Sequence, residues 1–262
     1  MERSKAIFGG DSRPIGCGFL SETATGEMMK ICILDNDTID EALVPTYRSY
    51  GAMLEKVLRQ AGATDWEMDH FSTPLQQYPA SFDDYDAVLL TGSKADSFSD
   101  EAWVVELRRR VTELLKTDTK LLGICFGHQL IAYCLGAKVA RAPQGWVTGR
   151  NTYQWHDADF AASGREQFAL LASHQDQVLE LPEGARLLAS SDRCPIAAYA
   201  KGNELLCIQP HPEFVEDYSA YLLNKRKHVL GEAHYAESME SLEHGHEGQD
   251  FAKVMVKFIE QA

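Results

Sequence analysis

Two stretches of this sequence carry the residue types of a covalent catalyst. The first is Leu121-Leu122-Gly123-Ile124-Cys125-Phe126-Gly127-His128-Gln129, in which a short apolar run stops abruptly at Gly-x-Cys-x-Gly. Such a run reads as a buried parallel strand, a very tight turn with the cysteine at its apex, and a helix. It is the thiol counterpart of the Gly-x-Ser-x-Gly elbow that lifts a nucleophile above a sheet. Gly123 and Gly127 lack Cβ atoms, so strand and helix can close around a strained apex residue. The new helix aims its N-terminal N–H groups at the sulfur and offers donors to an oxyanion formed there. A plain core cysteine is the alternative, because free cysteine is among the most buried residue types.

The second stretch is Cys207-Ile208-Gln209-Pro210-His211-Pro212-Glu213-Phe214, an apolar strand followed by a histidine and a glutamate bracketed by two prolines. Pro210 and Pro212 restrict φ at their own positions and push Gln209 and His211 towards extended backbone. Alternating side-chain direction then puts His211 and Glu213 on one side. A cysteine nucleophile needs a base, and the base needs a group that fixes its tautomer. His211 is suited to take the Cys125 proton while Glu213 holds the imidazole. A lone His-x-Glu elsewhere would be a solvated loop; the flanking prolines argue for a held geometry.

These side chains need elements to position them. Lys30–Asp35 is a compact apolar run suited to a first parallel strand. Tyr50, Met53, Leu54, Val57, Leu58 and Ala61 recur at helical spacing, with Gly62 as a stop. Trp66–Phe71 and Asp86–Thr91 read as further strands, the latter running into Gly92-Ser93-Lys94. Asp100 is placed to cap a helix whose buried stripe is Trp103, Val104, Leu107, Val111, Leu114 and Leu115. The Cys125 elbow follows, its helix ending at Gly136. From about 137 to 210 the texture changes to short strands: Asn151–Trp155, Phe168–Ala172, Arg186–Ser190, Ile196–Tyr199 and Leu205–Gln209. A helix follows Pro212 to about Leu230, then a polar, acidic stretch from Gly231 to Asp250, then a last amphipathic helix through Phe251, Val254, Phe258 and Ile259. This order predicts an α/β fold: an open, doubly wound, mostly parallel sheet with helices on both faces and a small antiparallel extension. Sites in such sheets lie at the carboxyl ends of strands, where both the Gly92-Ser93 loop and Cys125 fall.

Composition narrows the function classes. The 262 residues include 25 basic and 39 acidic side chains, a formal net charge of −14. That surface repels nucleic acid and anionic lipid, and neither is expected as a partner. No apolar run approaches the roughly 18 residues of a membrane span. Cys17, Cys32, Cys125, Cys134, Cys194 and Cys207 are scattered without a C-x-x-C pair, which fits reduced thiols in a cytoplasmic protein. Residues 1–28 show neither helical nor strand periodicity and no signal-peptide core. They are expected to form a disordered N-terminal arm ahead of one catalytic domain, 29–262. Arg108-Arg109-Arg110 reads as a solvated helix face, and His128 as a structural wall of the elbow. His234, His244 and His246 fit no compact ligand set, so no metal is expected.

Taken together, Gly123-Ile124-Cys125-Phe126-Gly127-His128-Gln129 and Pro210-His211-Pro212-Glu213-Phe214 resemble the paired motifs of the class I, or triad, glutamine amidotransferases. The separation of 86 residues (211 − 125) is similar too. Ser173-His174-Gln175-Asp176-Gln177-Val178 resembles the Ser-His-x-Asp-x-Val segment of the glutaminase domain of GMP synthase. Among branches, the chain looks most like stand-alone GMP-synthase-like amidotransferases and the γ-glutamyl peptidases, with a flavodoxin-like sheet.

The resemblance implies a Cys125-His211-Glu213 triad acting on glutamine or a γ-glutamyl compound through a γ-glutamyl thioester, without a cofactor. It places the oxyanion between the N–H of Phe126 and one from the Gly92-Ser93 loop, and lines the substrate pocket with Gln129 and the backbone around Ser173 and His174. Two positions depart from the pattern. Thr91-Gly92-Ser93-Lys94 stands where many relatives have a Gly-Gly-Pro or Gly-Pro-Gly run. Thr148, in Gly145-Trp146-Val147-Thr148-Gly149, stands where relatives often have a glutamate that contacts the substrate's α-amino or α-carboxyl group. Three functions follow for comparison: a glutaminase that passes ammonia to a separate synthetase, a self-sufficient hydrolase of γ-glutamyl peptides or amides, and a non-catalytic regulator that keeps the fold.

Overall fold

The computed structural model describes residues 28–158, 160–161 and 164–261. All but the last residue of the expected N-terminal arm lies outside the described residues. In chain order the elements are β1 (Lys30–Asp35), α1 (Val44–Tyr47), α2 (Tyr50–Gln60), β2 (Glu67–Ser72), β3 (Ala87–Leu90), α3 (Ala102–Leu114), β4 (Lys120–Ile124) and α4 (Phe126–Cys134). There follow β5 (Val139–Arg141), β6 (Val147–Trp155), β7 (Gln167–His174), β8 (Asp176–Val178), β9 (Arg186–Ser191), β10 (Cys194–Lys201) and β11 (Leu205–Ile208). The chain closes with α5 (Glu216–Leu230), α6 (Glu232–Ser241) and α7 (Gly248–Glu260).

The main sheet has 9 strands in the order β2-β1-β3-β4-β11-β10-β9-β6-β7. Its first half, from β2 to β11, is parallel throughout. β3 and β11 are buried along their whole length, as are all but the first residues of β1 and β4. Strands covered on both faces read as continuous apolar runs, which is why these were evident in the sequence. Alternate residues serve opposite layers. Ile31, Ile33 and Leu89 pack with Leu54 and Leu58 of α2 and Met255 and Phe258 of α7. Cys32, Leu34 and Leu90 pack with Leu107 and Val111 of α3 and Leu130 and Ile131 of α4. Helices therefore cover both faces of the α/β sheet, as expected. No helix among the described residues is long and apolar enough to cross a membrane.

The antiparallel extension continues the same sheet: β10 pairs with β11, then β9, β6 and β7 follow. β5 and β8 form a separate two-stranded ribbon that was not foreseen, because three-residue strands carry too little periodicity to register. One expectation needs correction. Asp100 does not cap α3; Glu101 occupies the N-cap position and makes no side-chain cap bond. The turn is held instead by Ser99, whose hydroxyl accepts from the Glu101 N–H at 3.2 Å, and by Arg108, which donates to the Ser97 and Ser99 carbonyls. The polar, acidic stretch from Gly231 to Asp250, to which no element was assigned, contains α6. That helix is too polar to announce itself; it buries only Ser238 and packs against α5 and β6.

The strand–helix crossing at the elbow is close. A methyl group at Gly127 would lie 2.5 Å from the Leu90 carbonyl oxygen, and one at Gly123 would lie 2.6 Å from the Gly127 carbonyl carbon. Both contacts are with backbone or strand atoms that cannot swing aside. Gly127→Ala is therefore expected to destabilise the fold by about 1–3 kcal/mol, the usual cost of overpacking, lowering Tm by several degrees in a thermal melt. An unchanged Tm would show that α4 moves freely off the sheet.

Candidate active site

Cys125 sits between β4 and α4 with φ 51° and ψ −100°, a backbone region that a residue with a side chain occupies only under strain. Its N–H donates to the Ile208 carbonyl at 2.9 Å, extending by one step the parallel register that pairs Ile124 with Ile208. The first turn of α4 begins at Phe126, and the first N–H groups of a helix have no partner within it. The Phe126 N–H is thus available beside the sulfur.

His211 lies three residues beyond β11. Its N–H donates to the Leu171 carbonyl at 2.8 Å, which ties it to β7. Its Nδ1 is 2.7 Å from Oε1 of Glu213. The ring of Phe214 lies on the imidazole face, with centroids 3.7 Å apart and planes 10° from parallel. The ring is thus fixed by its backbone, by a carboxylate and by an aromatic face. Phe214 belonged to the motif, but its stacking on the His211 imidazole was not anticipated.

The loop after β3 meets both groups. A methyl group at Gly92 would lie 2.8 Å from Cε1 of His211 and 3.6 Å from Cβ of Cys125. The Cys125 Cβ and the ring therefore lie no farther apart than those two lengths combined. Cys125, His211 and Glu213, read separately from two distant motifs, are brought together with Gly92 at the carboxyl edge of the parallel strands. The loop itself is held by a buried polar network. Asn36 donates through its backbone to the Thr91 hydroxyl and through its side chain to the Thr91 carbonyl, while Thr73 donates to Asn36. Asp37 accepts from both the backbone N–H and the ammonium of Lys94. The Lys94 N–H is thereby occupied, which leaves Gly92 and Ser93 as the loop's candidates for an oxyanion donor.

Burial alone would push the His211 imidazolium down, and burial is the largest single influence on it. Attraction to the Glu213 carboxylate, which is hydrogen-bonded to Nδ1, and to Cys125 outweighs it and raises His211 to about 10. His174, opposite Val147 in the β6–β7 ladder, behaves in the opposite way. Burial and the nearby positive charge of His211 push it down to about 3, so it stays neutral with Nδ1 against the Asp176 carbonyl. His128 is also driven down to about 3, chiefly by burial, and stacks on Tyr199 as a wall of the elbow.

A cleft of about 310 Å³ opens over the sulfur, bordered by Ser93, Cys125, Gln129, Trp146, Ser173 and His174 among others. That volume suits a small-molecule substrate. Larger hollows of about 530 and 860 Å³ lie elsewhere, one behind Glu213 and one beside α7, but neither borders Cys125. Gln129 is buried, and its amide donates to the Asp176 carbonyl at 2.8 Å and to Gln209 at 3.1 Å. Its place in the wall is thereby fixed. Thr148 is turned to α6, with its hydroxyl 3.0 Å from Nε2 of His234 and 2.7 Å from that of Ser238.

Charged groups around the cleft were not foreseen, since their meeting depends on tertiary structure. Arg141 of β5 bridges Asp96 and Asp176 at 3.1 and 3.0 Å. Burial and the neighbouring Asp176 raise the Asp96 carboxyl above its ordinary value. Arg226 of α5 places its guanidinium carbon 5.1 Å from the centre of the Trp146 ring. Among the described residues there is no group of three or more His, Cys, Asp and Glu side chains suited to holding a metal ion.

Comparisons with known proteins point to one family. A glutamine amidotransferase-like protein of Schizosaccharomyces pombe is 28% identical over 243 residues, covering 87% of this chain and 98% of its own. Gamma-glutamyl peptidase 5 of Arabidopsis thaliana is 36% identical over 175 residues, covering 64% of this chain and 70% of its own. In fold, a glutamine amidotransferase of Thermotoga maritima superposes with a TM-score of 0.72 at 19% identity, over 90% of this chain and 100% of that one. The family model "Glutamine amidotransferase class-I" matches residues 42–226, a span that includes both the cysteine elbow and the histidine motif, and the chain belongs to that family.

Proposed function

We propose that the protein hydrolyses the γ-amide bond of glutamine or of a γ-glutamyl compound, with Cys125 as nucleophile, His211 as acid and base, and Glu213 as the group that orients His211. The observation that carries this reading is the convergence, on one strand edge, of a strained cysteine at a helix N-terminus, a histidine locked by a carboxylate, and the glycine loop between them. In the first half-reaction the Cys125 sulfur attacks the γ-carbonyl carbon. The oxyanion that forms accepts hydrogen bonds from the Phe126 N–H and from Gly92 or Ser93. His211 gives its proton to the departing nitrogen, the C–N bond breaks, and a γ-glutamyl thioester remains. Water then attacks the thioester carbon, His211 takes the water's proton, and glutamate leaves as the C–S bond breaks.

Two uses of this chemistry are separable. The likeness to a protein named Gamma-glutamyl peptidase 5 favours γ-glutamyl peptides or amides hydrolysed without a partner. A glutaminase working for a separate ammonia-accepting synthetase would instead prefer free glutamine and gain activity when that synthetase is present. Measuring glutamate release by the lone protein from glutamine and from γ-glutamyl dipeptides decides between them. Cys125→Ser and His211→Ala are each expected to lower turnover by roughly a thousandfold or more, as removing one member of a concerted unit does, with unchanged circular dichroism. Wild-type rates in either variant would remove the proposed roles.

The pH dependence has a defined sign. A histidine raised to about 10 keeps its proton through neutrality and loses it only as pH rises through that value. The acid needed by the leaving nitrogen is then lost on the alkaline side, so kcat/KM should show an alkaline limb near pH 10 rather than near an ordinary histidine value. Removing the Glu213 charge with Glu213→Gln should move it to lower pH. A limb that stays in place would show that Glu213 does not set the charge on His211.

A further inference from the structure

The cleft over Cys125 carries three basic side chains, and two of them are already matched. Lys94 pairs with Asp37 at 2.8 Å, and Arg141 pairs with both Asp96 and Asp176. Arg226 is different: among the described residues no carboxylate lies within ion-pair distance of it, and its Nη1 is shielded from solvent without a hydrogen-bond partner. It borders the same cleft as the nucleophile, and the Trp146 ring supports one face of its guanidinium. A guanidinium over an aromatic ring is attracted to the ring face without using up its N–H donors. A shielded donor with no acceptor is costly, and a half-buried guanidinium on a cleft wall gains an acceptor when a ligand brings one. The acceptor that fits a planar fork of donors is a carboxylate.

We infer that Arg226, set over the Trp146 ring, is a specificity-determining residue that binds a carboxylate of the substrate. This rests on the γ-glutamyl reading of the cleft and names the group by which the substrate is selected. A γ-glutamyl compound offers that carboxylate from two sources: the α-carboxylate of the glutamyl unit, present in every such substrate, or the carboxylate of the amino acid that is displaced. Arg226 lies on the helix that follows the His211–Glu213 turn, so its position is set by the same segment that sets the base.

The test is equilibrium binding to the full-length Cys125→Ser chain, which reads recognition without turnover, with and without Arg226→Gln. The ligands are glutamine, γ-glutamylglycine, γ-glutamylglycinamide and glutamine α-amide, which has no carboxylate. Loss of a charge-assisted, bidentate contact is expected to raise Kd by roughly 10- to 100-fold. If the α-carboxylate is the group held, glutamine, γ-glutamylglycine and γ-glutamylglycinamide all weaken together. If the displaced residue's carboxylate is held, γ-glutamylglycine alone weakens. In both cases glutamine α-amide binds the two chains equally, and Arg226→Lys recovers only part of the loss.

Equal Kd values for all four ligands with and without Arg226→Gln overturn the inference. So does an equal weakening that includes glutamine α-amide, which would mark a distorted cleft, and so does failure of every ligand to bind. Failure of the hydrolase reading looks different. The unsubstituted chain would then bind these compounds in an Arg226-dependent way and turn over none of them.

Discussion

The parallel pairing of β4 with β11 is the constraint on which the site depends. Ile124 and Ile208 are register partners, and the Cys125 N–H continues the ladder to the Ile208 carbonyl. The sheet therefore ends both strands at the same height and delivers a cysteine from one and a histidine from the other. A slip of one residue would turn every side chain of a strand to the opposite face. The burial of β4 and β11 against helices on both sides makes such a slip costly. Beyond β11, His211 is tied to the Leu171 carbonyl of β7, so the base is anchored between the parallel and antiparallel halves of the sheet. Strand register, more than any local motif, turns two sequence-distant turns into one constellation.

Within that frame the site is nearly dry. Cys125, His211 and Glu213 are each no more than 5% exposed. In such surroundings a charge survives only if it is paired. The three buried histidines of the region show the rule working in both directions. His211 faces a carboxylate and a sulfur and is raised, whereas His174 and His128, lacking such partners, are driven down and stay neutral. A single well-placed carboxylate thus singles out one imidazole to carry a proton. Because burial is the largest influence on His211, Glu213 is not an accessory to that choice. Without the opposing attraction, the same environment would make His211 another neutral wall.

How far the sequence could be read follows from how local each feature is. The apolar strands, the Gly-x-Cys-x-Gly turn and the proline-bracketed histidine are defined by neighbours in sequence, and the structure agrees with them closely. Asp100 failed as a cap because a serine and an arginine from the following helix satisfied that turn first. The polar α6 was missed because it buries almost nothing of its own. Nothing near Arg226 in sequence distinguishes it from Lys225 or Lys227. Lys225 pairs with Asp40 and Lys227 with Glu232, both on exposed surface, while Arg226 turns to Trp146. That difference arises only when α5 packs on the antiparallel strands.

Thr148 and α6 carry the last step. The resemblance to relatives with an acidic residue at this position led to the expectation that Thr148 would alter substrate contacts. Its hydroxyl is committed to His234 and Ser238 on α6, and a buried hydroxyl with partners on a neighbouring element acts as structural support. The strand partner of Thr148 is Ser173, which does border the cleft. Ser173 thus borders the cleft, while Thr148 anchors the added helix. α6 seals the edge of β6 with Ser241, which accepts from the Arg150 N–H. A methyl group at Gly149 would lie 2.5 Å from Oγ of Ser241, so that glycine is the gap through which the helix approaches. The charged side chains that border the cleft come instead from the loop after β3, the β5–β8 ribbon and α5. This arrangement accounts for a cysteine site of familiar geometry beneath a rim of charges that its sequence motifs do not encode.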